Sequence, residues 1–101
     1  MKYSLSPIDF KKVYNNSKSV LIKDIMYYYV KDESPKIGFI VSRKYGNSVN
    51  RNLFKRRCRN IFFELIKNNF NYSIIVQPKT KNINWKIIKQ SFEIIYEKIN
   101  K

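Results

Sequence analysis

Five arginines, all between positions 43 and 59, are the side chains of this sequence best suited to chemistry with a polyanion. The other 16 basic residues are lysines, and they are spread over the whole chain. A guanidinium binds phosphate through two parallel hydrogen bonds and stacks on a base, whereas an ammonium group does neither. The segment 43–60 contains seven basic residues and no acidic one. We therefore interpret it as a contact surface for nucleic acid, and for RNA in particular.

Net charge and composition set the class of protein. The 101 residues carry a net charge of +14 and a pI of about 10.0, which favours nucleic acid as the partner, ahead of an anionic membrane or an acidic protein. A hydrophobic content of 44% predicts a folded chain, and this length predicts one domain spanning 1–101. No stretch of 18 apolar residues could cross a membrane, the N-terminus lacks the apolar core of a signal peptide, and Cys58 is the single cysteine. We expect a cytoplasmic protein without membrane contact.

Catalytic side chains are scarce. The sequence has no histidine, which removes the commonest general base and metal ligand. Its seven acidic residues show no spacing typical of a two-metal nuclease, and two glycines are too few for a glycine-rich phosphate loop. The composition therefore argues against an enzyme that acts alone, and we predict neither catalytic nor metal-binding residues in this chain.

A long helix must position the arginines. The hydrophobic spacing predicts it over 49–68, with Asn47 or Ser48 as the N-cap. An apolar stripe on one side would bury Cys58 as a small core residue. The opposite side is polar and basic, and five basic residues within 51–59 make an ordinary solvated face of mixed charge a poor explanation. The stripe comprises Phe54, Cys58, Ile61 and Leu65, and the opposite side comprises Asn52, Lys55, Arg56 and Arg59, with Arg51 and Arg57 flanking.

A short helix is predicted near the N-terminus. Ser6 suits its N-cap, and Pro7 suits its first position. Phe10, Val13 and Tyr14 then recur at helical spacing on one face. On spacing alone, Phe10 and Tyr14 are more simply core residues than a binding surface.

A sheet and a last helix complete the expected elements. Lys23 and Asp24 would interrupt the first strand, either by dividing it into two short strands or by forming a bulge. The second strand is expected to run antiparallel to the first, and the third, a nearly continuous apolar run, to lie centrally. Alternation places Tyr28 opposite its two tyrosine neighbours, as either a base-stacking platform or an ordinary strand residue. The last helix is predicted to begin after Asn84 and to pack an apolar stripe, starting at Trp85, on the sheet. The predicted strands are 19–31, 36–44 and 72–77.

The segment 46–59, GNSVNRNLFKRRCR, closely resembles the basic signature G-x-A-V-x-R-N-x-x-K-R-x-x-R of the bacterial ribonuclease P protein subunit. The strand segment IGFIVSRK before it, the helix segment DFKKVY and the strand 72–78 also resemble that family, so the resemblance covers nearly the whole chain. Ser48 replaces the usual alanine, and Asn60 replaces a frequent glutamate or glutamine. Lys2 alone stands where relatives carry a basic N-terminal segment, which weakens the case for an N-terminal RNA contact.

The resemblance implies an α+β fold. It would be a two-layer α/β sandwich of ribosomal-protein-S5-like type, with element order α-β-β-β-α-β-α and a four-stranded sheet. In this family the basic helix joins two parallel neighbouring strands by a left-handed crossover, against the strong right-handed rule.

The resemblance also implies a cofactor role for the protein. It would bind a catalytic RNA and precursor tRNA, and would promote endonucleolytic removal of the 5′ leader at low Mg²⁺. The protein would thus be a subunit of an enzyme whose RNA, with its Mg²⁺, performs the cleavage. Neither an organic cofactor nor a further protein partner would be required.

Two sets of residues receive roles by the same resemblance. One set would face the RNA subunit, and the other would bind the leader. In the leader-binding set, two basic residues at a strand end would bind leader phosphates. Stacking surfaces and phosphate contacts suit a single-stranded leader of variable sequence. The first set would face the RNA subunit near the cleavage site: Arg51, Asn52, Lys55, Arg56 and Arg59. The second would line a cleft between the first helix and the sheet: Phe10, Tyr14, Tyr28, Arg43 and Lys44.

Three other functions remain open on the residues alone. A general structured-RNA-binding or ribosomal-type protein would bind RNA without preference for precursor tRNA. A DNA-binding protein could place the arginine helix in a major groove, but no second short helix precedes it to form a helix-turn-helix. An autonomous nuclease is the least favoured alternative.

Overall fold

The computed structural model describes residues 3–81 and 83–99 of the chain. Within these ranges the helices and strands follow in the predicted order α-β-β-β-α-β-α, and none of the helices is both long and apolar enough to cross a membrane. Lys2, the basic residue before the first helix, lies outside the described residues. The elements are α1 (Pro7–Asn16), β1 (Lys18–Ile22), β2 (Ile25–Lys31), β3 (Ile37–Phe39), a 3-10 turn (Arg43–Tyr45), α2 (Ser48–Lys67), β4 (Tyr72–Pro78) and α3 (Trp85–Ile99).

The four strands form one mixed sheet in the order β1-β2-β4-β3. β2 pairs antiparallel with both β1 and β4, whereas β3 pairs parallel with β4. The helix α2 thus joins two parallel neighbouring strands, as the family resemblance implied. β4 takes the central position predicted for it, between β2 and β3. Its residues from Ser73 to Val76 are therefore buried on both faces of the sheet.

The strand predicted over 36–44 is shorter than expected. Only Ile37–Phe39 forms a strand, and Arg43–Tyr45 adopts a 3-10 turn instead. Pairing with β4 stops beyond Ile40 because the next donor on β4 would be Pro78, which has no N–H. The strand runs antiparallel to β2, as predicted, but the two are not hydrogen-bonded because β4 lies between them.

The break within 19–31 is a hairpin turn. Lys23 and Asp24 both have positive φ, 49° and 66°, and they separate the paired residues Ile22 and Ile25. Two central residues with positive φ are typical of a type I′ turn, whose twist matches that of antiparallel strands. The alternative with two short strands is therefore correct.

Alternation along the strands divides the sheet into two faces. Tyr27 belongs to the face covered by α2 and α3, where it packs edge-on against Phe92. Tyr28 belongs to the opposite face, where it meets Tyr14 of α1. The main core lies between the sheet and the helices α2 and α3, as the predicted sandwich requires, and α1 covers part of the other face. The predicted fold class is confirmed.

The buried stripe of α2 differs from the predicted one. Phe54, Cys58 and Phe62, spaced four residues apart, are the buried residues of the helix. Ile61 and Leu65, predicted to share the stripe, are half-buried and line a groove against α3. Because α3 packs beside these two residues, Phe62 on the other edge of the stripe is turned toward the core. The prediction that Cys58 is a core residue is confirmed, and burial raises the pKa of its thiol.

Side-chain caps begin all three helices at the predicted residues. Each cap satisfies a backbone N–H that has no partner inside its helix, which stabilises a helix by about 1 kcal/mol. For α2, the structure selects Asn47 over Ser48. The caps are Ser6, Asn47 and Asn84, whose side-chain oxygens accept from the N–H of Asp9, Asn50 and Ile87 at 3.2, 2.9 and 2.9 Å.

One buried polar pair ties the sheet to α3. The Tyr27 hydroxyl is hydrogen-bonded to the Ser91 hydroxyl, and Ser91 donates its own proton to the Ile88 carbonyl at 2.9 Å. Tyr27 is therefore the donor to Ser91. Both side chains are fully buried, and burial raises the pKa of Tyr27, which keeps the phenol protonated.

Candidate nucleic-acid interface

The predicted RNA-facing residues all lie on α2, and we call them the basic face. Two of the five are exposed and three are half-buried. Among the described residues, the ion pairs join Lys36 to Asp9 and Lys67 to Glu64. No carboxylate in the described part of the chain therefore forms an ion pair with the basic face, which leaves its charge available to phosphates. The basic face comprises Arg51, Asn52, Lys55, Arg56 and Arg59.

Two arginines of the basic face are held in place by neighbouring groups. The Arg59 guanidinium lies 5.2 Å from the ring centroid of Phe39 on β3, within the range of a cation–π contact. Arg51 donates from Nη2 to the Ser48 hydroxyl at 3.2 Å. The Nε atoms of both arginines are buried and have no hydrogen-bond partner in the described structure. These guanidinium groups are therefore positioned before any ligand binds, which reduces the entropy lost on binding.

A depression of about 630 Å³ lies on the outer side of α2. Three members of the basic face line it, together with apolar side chains for which the sequence predicted no role. Val49 is 72% exposed although it is apolar, and its spacing to Leu53 at i, i+4 was the signal that could have identified it. Such a lining suits a sugar or base edge between phosphates. The lining residues are Val49, Asn52, Leu53, Arg56, Arg59, Asn60 and Phe63.

The predicted cleft residues Phe10, Tyr14 and Tyr28 come together, and we call them the aromatic row. The rings of Phe10 and Tyr14 are nearly parallel, with centroids 6.4 Å apart, and those of Tyr14 and Tyr28 are 5.0 Å apart at 45°. Tyr14 is 45% exposed and Phe10 is half-buried. The interpretation of Tyr14 as an ordinary core residue is therefore wrong.

Gly38 allows α1 to approach the sheet at the aromatic row. A Cβ atom at this position would lie 2.8 Å from Cδ1 of Leu5 and 3.0 Å from the ring of Phe10. Both distances are shorter than a carbon–carbon van der Waals contact. An alanine here would require the flexible Leu5 side chain to rotate and the Phe10 ring to shift by a few tenths of an ångström.

Tyr28 is oriented from the neighbouring central strand. Its hydroxyl donates to Oε1 of Gln77 on β4 at 2.9 Å. Burial raises the pKa of Tyr28, and the Tyr14 phenol acts in the same direction. The ring is thus a neutral stacking surface at physiological pH.

The structure places Arg43 and Lys44 apart from the position predicted for them. They lie in the 3-10 turn between β3 and α2, and not at a strand end, because β3 is shorter than predicted. Both are exposed. None of the ion pairs, hydrogen bonds or ring contacts of the described residues joins either side chain to the aromatic row.

A groove of about 430 Å³ runs under α1, and it contains basic residues for which the sequence predicted no role. Lys12, Lys31 and Lys36 line it. The Lys36 ammonium lies 3.3 Å from a carboxylate oxygen of Asp9, and a hydrogen bond with Ser6, followed by that ammonium, lowers the pKa of Asp9. The i, i+3 spacing of Lys12 from Asp9 on α1 was the available signal.

Acidic side chains do not converge in the part of the chain that the structure describes. No three of its Asp, Glu and Cys side chains could hold one metal ion. Mg²⁺ prefers several oxygen ligands in octahedral geometry, so the described residues do not offer a built site for it.

The fold and its surfaces define a class of protein: a small α+β protein with a basic helix on one side of a mixed sheet and an aromatic row on the other. The family model described as Ribonuclease P matches residues 5–100. The chain belongs to this family.

Named relatives agree with the family. The ribonuclease P protein component of Macrococcus caseolyticus is 35% identical over 92 residues, which cover 84% of this chain and 78% of the relative. The one from Listeria welshimeri is 36% identical over 89 residues, covering 82% and 75%. The one from Mycoplasma mobile is 29% identical over 94 residues, covering 91% and 84%.

Solved structures show the same fold. The Staphylococcus aureus RNase P protein has a TM-score of 0.76 and 26% identity, with 96% of this chain and 94% of that chain covered. A mutant of it with defective mRNA degradation activity has a TM-score of 0.79 and 27% identity, with 97% and 88% covered. The RNase P protein from Thermotoga maritima, at 23% identity and a TM-score of 0.70, supports the fold alone.

Proposed function

We propose that this chain is the RNA-binding protein subunit of a ribonuclease P and promotes removal of the 5′ leader from precursor tRNA. Family membership supports a subunit of this ribonucleoprotein and implies an RNA partner. One observation carries the finer assignment: the basic face and the aromatic row lie on opposite sides of one sheet. A protein built this way can hold two RNA segments at the same time.

In this proposal the basic face binds the catalytic RNA. Its four cationic side chains have no carboxylate partner among the described residues, so RNA phosphates are their natural counterions. Each phosphate contact releases condensed counterions, which makes binding strong at low salt and steeply salt-dependent. The cation–π contact with Phe39 fixes the orientation of the Arg59 guanidinium. This guanidinium would make one of the contacts with the bound RNA.

The aromatic row binds the single-stranded leader. Stacking on aromatic rings tolerates any base and contributes about 1–3 kcal/mol per base. Tyr14 offers the most accessible ring, and Tyr28 is held beside it by the hydrogen bond to Gln77. Arg43 and Lys44 are exposed in the 3-10 turn that precedes α2, and we assign leader phosphates to them.

Cleavage itself is assigned to the RNA subunit. The described side chains include no cluster suited to Mg²⁺, so we assign the metal to the RNA and the substrate, where it would supply activation of the attacking water. The protein contributes positive charge, which offsets phosphate repulsion between the two RNAs and thereby lowers the Mg²⁺ concentration that assembly requires. We place this activity in the cytoplasm, together with the tRNA precursors.

A reconstituted cleavage assay tests the proposal. The RNA subunit is incubated with leader-bearing precursor tRNA at low Mg²⁺, with and without the protein. We expect the protein to restore cleavage at the mature 5′ end under conditions in which the RNA alone is slow.

The assay also separates the alternative functions. RNA binding without stimulation of cleavage would favour a general structured-RNA-binding protein and would contradict the proposal. Cleavage by the protein with Mg²⁺ but without the RNA subunit would contradict the assignment of catalysis to the RNA.

A further inference from the structure

A third surface, at the edge where α2 meets α3, belongs to neither the basic face nor the aromatic row. Trp85 lies there, and it is 39% exposed although it was predicted to join the apolar stripe on the sheet. The Arg57 guanidinium of α2 lies 5.9 Å from its ring centroid, and the Lys89 ammonium of α3 lies 5.8 Å from the same centroid. One open indole is thus flanked by two cations.

A pocket of about 220 Å³ adjoins this indole and shares Arg57 with it. Three segments supply its walls: the 3-10 turn, the first turns of α2 and the residues before α3. Asn50, Asn84 and Arg57 supply the polar groups of the wall. Tyr45 packs against Phe54 beneath them. The Oδ1 atom of Asn84 already caps α3, so this residue has only its amide NH₂ to offer a ligand.

The two cations of this surface are not ion-paired within the described structure, although Glu93 lies one helical turn from Lys89 and lines a groove beside it. Neither Arg57 nor Lys89 takes part in the ion pairs of the described residues, and no acidic residue lines the pocket. A single cation over an exposed indole is an ordinary surface contact. Two unpaired cations on one ring, beside a pocket with free amide groups, match the needs of a ligand that has an aromatic plane, a polar edge and a negative charge.

We propose that this surface binds an unpaired RNA nucleotide. The base stacks on Trp85, the amide groups of Asn50 and Asn84 bond to its edge, and Arg57 and Lys89 bind the adjoining phosphates. Lys89 is exposed, so it can leave the ring for a phosphate at little cost. The choice of RNA as ligand rests on the proposed function, whereas the site itself does not require the basic face or the aromatic row.

Tryptophan fluorescence provides the test because Trp85 is the single tryptophan of the chain. The full chain carrying Arg56→Ala and Arg59→Ala, which suppress binding at the basic face, is titrated with a single-stranded tetrauridine RNA. We expect saturable quenching of Trp85. A fully paired RNA hairpin capped by a tight loop should quench far less, because its bases are not free to stack.

Matched substitutions then locate the contact. Lys89→Gln should weaken quenching and lower the salt slope by about 0.7, the value for one phosphate contact on a single strand, whereas Lys98→Gln in the last turn of α3 should change neither. Asn50→Ala keeps both cations and should weaken binding about 2- to 10-fold, as for one lost hydrogen bond. Circular dichroism on each variant verifies that α2 and α3 are intact.

Binding can also be measured without the fluorescence of Trp85. With a labelled tetrauridine and Tyr14→Ala added to suppress the aromatic row, fluorescence anisotropy should show that Trp85→Ala reduces the affinity roughly 5- to 150-fold, the range for loss of one stacked base. Absence of quenching, or equal effects of Lys89→Gln and Lys98→Gln, would overturn the proposal.

The source of the nucleotide is read from two further titrations, one with the RNA subunit alone and one with precursor tRNA alone. Quenching by either supports the site and names the source, and quenching by neither overturns it. Quenching of Trp85 without stimulation of cleavage would contradict the proposed function but would still support this site. Stimulation without quenching would remove only this site.

Discussion

The basic face and the aromatic row differ in how the chain builds them. The basic face comes from nine consecutive positions of one helix, 51–59, so it exists wherever α2 forms with its apolar side buried. The aromatic row joins α1 to β2 and exists only while α1 is docked on the sheet, which in turn depends on Gly38. The first surface is local in sequence, and the second is tertiary.

This difference has physical consequences. Binding at the basic face is electrostatic, so it should respond to charge removal and salt and should tolerate small changes in packing. Binding at the aromatic row depends on ring placement, so it should respond to packing and be much less sensitive to salt. A substitution at one surface should therefore leave binding at the other unaffected.

The largest effect is expected from removing two arginines of the basic face. Arg56→Ala with Arg59→Ala should weaken binding to the RNA subunit roughly 100-fold, if each lost charged contact contributes about 1.5 kcal/mol. The slope of log affinity against log salt should fall by about 0.7–0.9 per contact. Filter binding over a salt series measures both. Lys79→Ala with Lys98→Ala, which removes two exposed lysines elsewhere, is the matched control, and an equal loss there would show that only net charge matters.

The next effect concerns the most accessible ring of the aromatic row. Tyr14→Ala should weaken the complex with leader-bearing precursor tRNA by at least about 5-fold, the low end for one stacked base, and leave mature tRNA unchanged. Equilibrium binding of both tRNAs to the reconstituted complex measures this. Tyr14→Phe keeps the ring and should retain nearly full affinity. Equal losses on both tRNAs would indicate a folding defect and contradict a leader-binding role.

A smaller effect is expected when the aromatic row is displaced without removing a ring. In Gly38→Ala the new Cβ meets Leu5 and Phe10, and such overpacking costs about 1–3 kcal/mol of stability. Leader discrimination should fall several-fold, while affinity for the RNA subunit and its salt slope stay at the wild-type values. A parallel loss of RNA-subunit affinity would show that the two surfaces are coupled through the sheet.

The smallest functional effect is expected from the buried polar pair, which lies at neither surface. Ser91→Ala leaves the buried Tyr27 hydroxyl without its acceptor, which should cost about 1–3 kcal/mol of folding free energy. Thermal unfolding should show the midpoint lowered by several degrees, at about 4–8 °C per kcal/mol for a domain of this size. Ser19→Ala, at an exposed position of β1, should leave the midpoint unchanged, and neither variant should alter RNA binding below its midpoint.

The local surface was predictable from the sequence, and the tertiary one was predictable only in part. The cap at Asn47 and the spacing of the arginines are local signals, so α2 was placed within one residue at each end. Phe10 and Tyr14 alone suggested a core helix, because nothing in their spacing points to Tyr28. The family resemblance brought the three together, and the ring distances agree with it.

The wrong predictions share one cause, which is that a distant partner decides the outcome. The strand over 36–44 ended early because of Pro78 on the strand beside it. Phe62 was missed because the position of α3 decides which edge of α2 is buried. Trp85 fitted the apolar periodicity of α3, yet at the first turn of that helix it is 39% exposed and meets Arg57 of α2.

The central claim is that one small protein binds the catalytic RNA and the leader through separate surfaces. The most direct measurement is the ratio of affinities of the reconstituted complex for leader-bearing and leaderless tRNA, taken at a saturating concentration of RNA subunit. Wild type and the Arg56→Ala, Arg59→Ala variant should prefer the leader-bearing tRNA equally, whereas Phe10→Ala with Tyr14→Ala should bring the ratio close to one. An unchanged ratio in the aromatic variant, or a ratio that collapses in the arginine variant, would contradict the claim.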